Sequence, residues 1–296
     1  MTTGDRVQFQ LITGSSLPAN PDSNTLYFLK GSQELYLGQD KIGDAASASG
    51  SIAGKGAGYH NSIYRGNRLG TATTAAQAVT AAQWAAIQDG SFTDMFIGDY
   101  WTIGRYNWRI AAFDYYLGTG DEGHECTDHH VTLVPDTALG SSKMNNSADT
   151  TTGYANSLMR TSGLDSAKTT INNAFGAAHI LKHRQFFTNA STSGHPSGGA
   201  WYDSTVDLMS EINVYGSYIL GAVSNGPDVY ETQTVDKTQY PLFRNDHCKE
   251  RMSHDNFWLR DIVTASYFAL ATHGGYATFS YASGSSGVRP AFSIIG

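Results

Sequence analysis

The sequence predicts an α+β fold in which helices and strands follow one another without regular alternation. Three observations support this prediction. Short alternating or apolar segments typical of strands recur from residue 7 to residue 295. Two longer segments, 73–90 and 152–187, have the composition or spacing of helices. Charged residues make up only 15% of the chain, whereas Gly and Tyr number 32 and 17, which favours a loop-rich fold with strands over a helical bundle.

The N-terminal residues 7–42 predict short strands separated by turns. Apolar residues run through 26–29 and 35–37 on either side of Gly31, which indicates a hairpin. So few residues form only a marginal core, and oligomerisation is the usual way to bury the face that is left exposed. We therefore expect residues 1–43 to form a small all-β module that associates with other copies.

A linker and a helix are predicted next. Small residues without periodicity ("GDAASASGSIAGKGAG") indicate a linker, which we place at 44–72, before a second domain over 73–296. The Ala-rich segment that follows predicts one helix, with Thr73 or Thr74 as its N-cap and Gly90 at its end.

The rest of the chain mixes a second helical segment with many strands. Helical spacing within 152–187 is carried by Ile171, Phe175, Ala178 and Leu181. The segments predicted as strands are 99–104, 106–118, 129–135, 205–210, 212–221, 256–261, 265–283 and 288–295.

Charge and hydropathy exclude several classes of function. The net charge of −7 and the pI near 5.7 provide no basic field for a phosphate backbone, which argues against a nucleic-acid partner. The first residues lack the positive region and apolar core of a signal peptide. The most apolar stretch, "VYGSYILGAV", is too short to span a bilayer, so we expect no membrane insertion.

The stretch "GHECTDHH" at 123–130 is the strongest candidate for a metal site. His124 and Cys126 are residue types that bind zinc, and His247 and Cys248 supply the same types in a second segment. Against this, strand alternation places His129 and His130 on opposite faces. We therefore favour histidines held by structural hydrogen bonds and expect no cofactor, with a structural zinc as the alternative.

Cys126 and Cys248 are too few for a disulfide framework, and free thiols are favoured over a disulfide. The sequence also contains no convincing catalytic motif. His130 lies near Asp128 and Asp136, but no Ser or Cys occupies a nucleophile-elbow setting. The stretch "GSIAGKGAG" lacks the spacing of a P-loop. We therefore predict that the protein is not an enzyme.

A series of motifs runs in order through residues 90–296: "GDYWTIG", "WRIAAFD", "TDHHVTLVPD", "KMN", "TTGYANSLMR", "WYDSTVDLMSE", "FWLRD" and "GVRPAFSI". Together they resemble a domain of unassigned function in phages and prophages of Gram-positive gut bacteria, which has the formylglycine-generating-enzyme-like form of the C-type lectin fold. The N-terminal "LPANPDSNTLYFLKGSQELYLG" resembles the β module that begins phage fibre and tropism-determinant proteins, and this implies trimerisation and attachment to the virion. Formylglycine generation would need further Cys beside Cys248, so the resemblance implies the fold and not that activity.

The resemblance implies a structural scaffold and a recognition surface. For Arg260 and Arg289 we expect buried ion pairs, with Asp207, Glu211 and Asp261 as the first partners to examine. The scaffold residues are His130, Trp258, Arg260, Asp261, Gly287, Arg289 and Pro290.

The Tyr-rich segment 265–285 corresponds to the part of such phage proteins that a diversity-generating retroelement can rewrite. Rigid aromatic residues among Ser and Gly are typical of recognition surfaces, although Tyr and Phe also build ordinary core strands. The candidate receptor-binding residues are Tyr267, His273, Tyr276, Thr278, Phe279, Tyr281 and Ser283.

These observations predict a receptor-binding protein of a phage virion, of the tail-fibre type. We expect a homotrimer that contacts other virion proteins through the N-terminal module and a bacterial surface protein or glycan through the second domain. Assembly in the host cytoplasm agrees with the lack of a signal peptide. The alternatives are a capsid decoration or head-fibre protein and, third, a metal-dependent enzyme.

Overall fold

The computed structural model describes residues 8–32, 34–44, 56–192, 194–221, 238–245 and 255–296. The chain divides into two compact units, residues 1–56 and residues 57–296. Strand exceeds helix, 37% to 19%, and the predicted α+β class is confirmed.

The first unit is a four-stranded sheet in the order β1-β2-β3-β4. β1 pairs with β2 in parallel, and the other two pairs are antiparallel. The register of β2 and β3 joins Leu26 to Leu37 and Leu29 to Glu34, which confirms the predicted hairpin. The strands are β1 Gln8–Ile12, β2 Thr25–Leu29, β3 Glu34–Leu37 and β4 Asp40–Asp44.

The predicted linker at 44–72 is wrong from residue 56 onward; residues 45–55 lie outside the described residues. Helix α1 (Gly56–His60), apart from its first residue, and strand β5 (Arg68–Ala72) belong to the folded second unit. The His60 side chain is fully buried, and its Nδ1 lies 2.6 Å from the carbonyl oxygen of Met95. The composition of this segment indicates a linker because the contact that holds it, between His60 and Met95, joins residues 35 positions apart and leaves no local pattern.

The single helix predicted over 73–90 is two helices, α2 (Ala75–Ala78) and α3 (Ala81–Gln88). The break occurs because Thr80 caps α3. Its side chain accepts from the Gln83 backbone N–H at 3.2 Å, and the Gln83 side chain accepts from the Thr80 N–H at 3.0 Å. This reciprocal capping box starts a new helix at a residue inside the Ala-rich segment that predicts a single helix.

A six-stranded sheet with the order β12-β17-β8-β7-β6-β5 forms the centre of the second unit. The last strand, β17, lies between β12 and β8, so it joins distant parts of the chain. Trp108 on β7 contacts Phe175 and Phe292, with ring centroids 5.5 Å apart in both pairs. The further strands are β6 Tyr100–Ile103, β7 Tyr106–Phe113, β8 Val131–Pro135, β12 Val206–Leu208 and β17 Pro290–Ile294.

A five-stranded sheet with the order β15-β14-β13-β16-β9 carries the Tyr-rich segment. Its core strand β13 is buried at every position. Its strands are β9 Ser141–Lys143, β13 Phe257–Ile262, β14 Tyr267–Ala271, β15 Ala277–Tyr281 and β16 Ser285–Gly287.

Two predicted elements have the opposite type in the structure. Residues 183–187, predicted as helix, begin strand β10, because Gly176 with φ +82° ends the preceding helix. Residues 212–215, predicted as strand, form a helix whose N-cap Ser210 and N3 residue Asn213 make a capping box. The remaining elements are α4 Asp165–Phe175, α5 Glu211–Tyr215, α6 Pro241–Asn245, a π-helix Met159–Gly163, a 3-10 helix Ala177–His179, β10 His183–Thr192 and β11 His195–Ser204.

Within the described parts of the chain, no helix has the length and apolar character needed to cross a lipid bilayer.

Candidate recognition surface

The Tyr-rich segment folds as the antiparallel hairpin of β14 and β15. The register pairs Tyr267 with Tyr281 and Ala269 with Phe279. Because alternate residues of a strand share a face, Tyr267, Phe279 and Tyr281 lie on one side of the sheet.

We call these three residues the aromatic patch. The Tyr267 ring is 5.0 Å from that of Phe279 and 4.4 Å from that of Tyr281. Phe279 and Tyr281 are 48% and 53% exposed, although they are large and partly apolar. A hydrogen bond to the Tyr281 side chain raises the pKa of Tyr267, because the neutral phenol is the donor. The rings are therefore held in contact with one another while remaining accessible to a partner.

The backbone beneath the patch is fixed by packing on both sides of β14. Ala269 and Ala271 are fully buried, as is Phe268 on the opposite face. The hairpin turn is closed by a bond from the Gly275 N–H to the Thr272 carbonyl at 2.9 Å, and Gly275 adopts φ +82°, which favours glycine. A partner would meet a surface that is already ordered, so little conformational entropy would be lost on binding.

The structure does not bring all seven receptor-binding candidates together. His273 and Tyr276 are exposed in the hairpin turn, next to the patch in sequence but outside its ring contacts. Thr278 points to the opposite side of β15 from Phe279, together with Ser280. Ser283 is half-buried in the connection from β15 to β16.

Two of the three histidines of "GHECTDHH", His129 and His130, are bound by Asp114, a residue that no sequence motif indicates. One Asp114 oxygen lies 2.8 Å from His129 Nδ1, and the other accepts from the His130 backbone N–H at 2.9 Å. Asp114 has φ +51°, which is in the left-handed region that Asp adopts more readily than most residues. His130 is fully buried between the Tyr116 N–H, bound to Nε2 at 3.0 Å, and the Asp128 carbonyl, 2.8 Å from Nδ1. Burial lowers the pKa of His130, and both ring nitrogens have partners in the neutral form.

The structure describes two of the four metal candidates, His124 and Cys126. His124 has a largely exposed side chain whose Nδ1 lies 3.8 Å from Asp121. Cys126 is a free, buried thiol that donates to the Asp128 carbonyl at 3.7 Å, and burial raises the pKa of the thiol. His247 and Cys248 lie outside the described residues. Among the described residues, no group of three or more His, Cys, Asp or Glu side chains is arranged to hold a metal ion.

Backbone carbonyl groups and aromatic rings contact the buried side chains of the closing scaffold motif. Arg289 is 1% exposed, donates from Nε to the Pro135 carbonyl at 2.7 Å and lies over the Phe257 ring at 5.0 Å. Arg260 donates to the Leu208 carbonyl at 2.9 Å. The buried Trp258 donates from Nε1 to the Ser142 carbonyl at 2.9 Å.

The structure also shows the surroundings of Gly287 and Pro290, which lie next to Arg289 in the motif. A Cβ at Gly287 would lie 2.6 Å from the Asn256 carbonyl oxygen, so the close approach of the two backbones requires glycine. Pro290 begins β17 and pairs with Leu208 of β12.

Asp207, one of the carboxylates expected beside Arg289, is bound by other groups. It receives hydrogen bonds from the Tyr154 hydroxyl at 2.8 Å and the Ser204 hydroxyl at 2.6 Å. Arg160 completes the set, with Nε 3.2 Å from the Asp207 carboxylate. The buried Asp207 carboxylate is therefore paired with Arg160, which lies outside the closing motifs.

Glu211 and Asp261 form a buried carboxyl pair below the loop 216–221. Glu211 is fully buried and accepts the backbone N–H groups of Ile219, Leu220 and Gly221 at 2.7–3.1 Å. Asp261 accepts the Glu211 backbone N–H at 2.6 Å. Burial, reinforced by the neighbouring Glu211 charge, raises the pKa of Asp261 from 3.8 to about 7.

Comparison of the chain with protein-family models, with curated proteins and with solved structures gave no match.

Proposed function

We propose that the protein is a receptor-binding component of a phage virion and that its aromatic patch contacts the bacterial surface. The observation that carries the proposal is the exposure of Phe279 and Tyr281 beside the well-packed strand β14. Exposed aromatic residues on a rigid support are typical hot spots of protein interfaces. The motif series from "GDYWTIG" to "GVRPAFSI" supports the phage origin and a C-type-lectin-like fold of the second unit.

The arrangement of strands is compatible with that fold. The final strand β17 is interior to the six-stranded sheet, and the hairpin β14–β15 forms one end of the second sheet among the described strands. A surface at the end of the sheet can vary in sequence without altering the buried strands. This separation of scaffold and surface is what a recognition domain requires.

The N-terminal unit supports the proposal that the protein is a trimer. Phe9 and Leu11 of β1 are 66% and 51% exposed and lie on the same face of the strand. Burial of these side chains against other copies would stabilise a unit whose own core is small. Light scattering of the full chain is expected to give three times the monomer mass, and a Phe9→Ser, Leu11→Ser variant is expected to give a smaller assembly. A wild-type monomer would contradict this part of the proposal.

Binding of the purified full chain to intact cells tests the proposed surface. The panel consists of Gram-positive gut bacteria, and the wild-type protein is expected to label a subset of the strains. A triple Tyr267→Ala, Phe279→Ala, Tyr281→Ala variant is expected to lose at least about thirtyfold in affinity, since hot-spot truncations cost about 2 kcal/mol each.

The matched control is Thr278→Ala, on the opposite face of the same strand. Thr278→Ala is expected to bind cells as the wild type does. The thermal unfolding of this control and of the triple variant is expected to match that of the wild type. Equal binding by the triple variant would refute the role of the patch. Incorporation into capsids without binding to any cell would favour the decoration or head-fibre alternative.

A further inference from the structure

A cleft of about 220 Å³ lies at the end of the six-stranded sheet, and none of its lining residues belongs to the aromatic patch. It is lined by the β6–β7 turn, by the end of helix α4 and by Thr73. This volume is below that of pockets for drug-sized ligands, which begin at about 300 Å³. The size suits a small ligand such as a single sugar ring.

The β6–β7 turn gives this cleft a rigid wall. Ile103 pairs with Tyr106, which leaves only Gly104 and Arg105 in the turn, and Gly104 adopts φ +62°. The Gly104 N–H also donates to the Ala72 carbonyl at 2.9 Å, which ties the turn to strand β5. Arg105 is therefore attached to a backbone with a single defined conformation.

Arg105 provides a positive charge at the cleft. Its Nη2 donates to the Tyr106 hydroxyl at 2.6 Å, and its guanidinium carbon lies 4.9 Å from the centre of the Tyr106 ring. No described carboxylate forms an ion pair with Arg105, and none of the described residues that line the cleft is acidic. A guanidinium held in this way is preorganised for a planar anion such as a carboxylate.

The opposite wall supplies neutral hydrogen-bonding groups and apolar surface. Thr170, Asn173 and Ala174 lie on the same face of α4, because they are three and four positions apart. The Asn173 side chain is exposed, and its amide can both donate and accept. The buried Ile103 and Trp108 add apolar surface. A sugar ring combines hydroxyl groups with apolar C–H faces and matches this mixture.

We propose that the cleft binds an acidic monosaccharide of the uronic acid class. The ligand carboxylate pairs with Arg105, the hydroxyl groups bond to Asn173 and to Thr170 or Thr73, and the ring contacts Ile103 and Trp108. The proposal is independent of the aromatic patch, since the two sites share no residues.

The test is titration of the full chain with glucuronate, galacturonate, glucose and galactose, followed by calorimetry and saturation-transfer NMR. At least one uronate is expected to bind with at least about tenfold higher affinity than its neutral counterpart, the size of effect that one charge-assisted pair provides. Arg105→Gln is expected to abolish this preference, and Asn173→Ala to weaken binding of both forms of the sugar.

The matched control is Arg68→Gln, which removes an exposed positive charge from β5 of the same sheet. It is expected to bind as the wild type does. The proposal is overturned if neither uronate binds at millimolar concentration, if acidic and neutral sugars bind equally, or if Arg105→Gln and Arg68→Gln have the same effect. Loss of cell binding in the aromatic-patch variant with uronate binding intact would separate the two sites.

Discussion

Replacement of Asp261 by Asn is expected to remove a pH dependence from the stability of the protein. Asp261 is buried beside Glu211, and the folded state raises its pKa from 3.8 to about 7. The folded chain therefore holds a proton that the unfolded chain releases between about pH 4 and about pH 7. The stability that this proton contributes is complete below pH 4 and is lost as the pH rises through 7.

The size of the effect follows from the pKa difference. Each pKa unit corresponds to about 1.4 kcal/mol, so ionisation of Asp261 costs the folded state about 4 kcal/mol relative to the neutral form. Asn at this position cannot ionise, and its amide oxygen can still accept the Glu211 backbone N–H that Asp261 accepts at 2.6 Å. The variant should therefore keep the local geometry and lose the titration.

The measurement is urea unfolding of wild type and Asp261→Asn at several pH values between about 5 and 8. Other titrating groups are common to both chains, so the difference between the two free energies of unfolding isolates Asp261. This difference is expected to move in favour of the variant as the pH rises. Glu122→Gln, at an exposed carboxylate, is the control and should run parallel to wild type. The reasoning would be refuted if the free energies of unfolding of Asp261→Asn and wild type differed by the same amount at every pH, or if the difference moved in favour of wild type as the pH rises.

Two further substitutions test the packing of the second unit. Gly70→Ala places a Cβ 2.1 Å from the Ala78 carbonyl oxygen and is expected to lower the free energy of unfolding by about 2 kcal/mol or more. Its control is Gly140→Ala, whose Cβ meets no atom within 4 Å and which should leave the thermal unfolding unchanged. Asp99→Asn removes the buried charge bound to Arg65 at 2.6 Å and is expected to cost about 3 kcal/mol by urea unfolding. Asp94→Asn is its control, since that side chain is 92% exposed and 3.6 Å from the same arginine; equal losses would contradict the assigned role of burial.

Elements defined by local patterns were predicted from the sequence. The hairpin of β2 and β3 and the strands β8, β13 and β17 follow from short apolar or alternating segments. Elements that depend on one pair of capping hydrogen bonds were not. Ser210 and Asn213 convert an apolar segment typical of a strand into a helical turn, and Thr80 divides an Ala-rich helix in two.

The candidate site shows the same limit. The aromatic character of 265–285 is visible in the sequence, but the choice of Tyr267, Phe279 and Tyr281 as one surface depends on the register of β14 and β15. The function of Asp114 in holding His129 and His130 could not be predicted, because the partners are fifteen and sixteen positions apart. Its positive φ is a property of the folded backbone and leaves no pattern in the sequence.

The alternation along β15 makes the strand suitable for directed evolution. Phe279 and Tyr281 face outward, and the positions opposite them on β14 are Ala269 and Tyr267. Codons 279 and 281 can therefore be randomised together with codon 267 while the buried Ala269, Phe268 and Leu270 are left constant. A library built in this way would leave the buried residues of β14 unchanged in every member, and selection would act on affinity more than on folding.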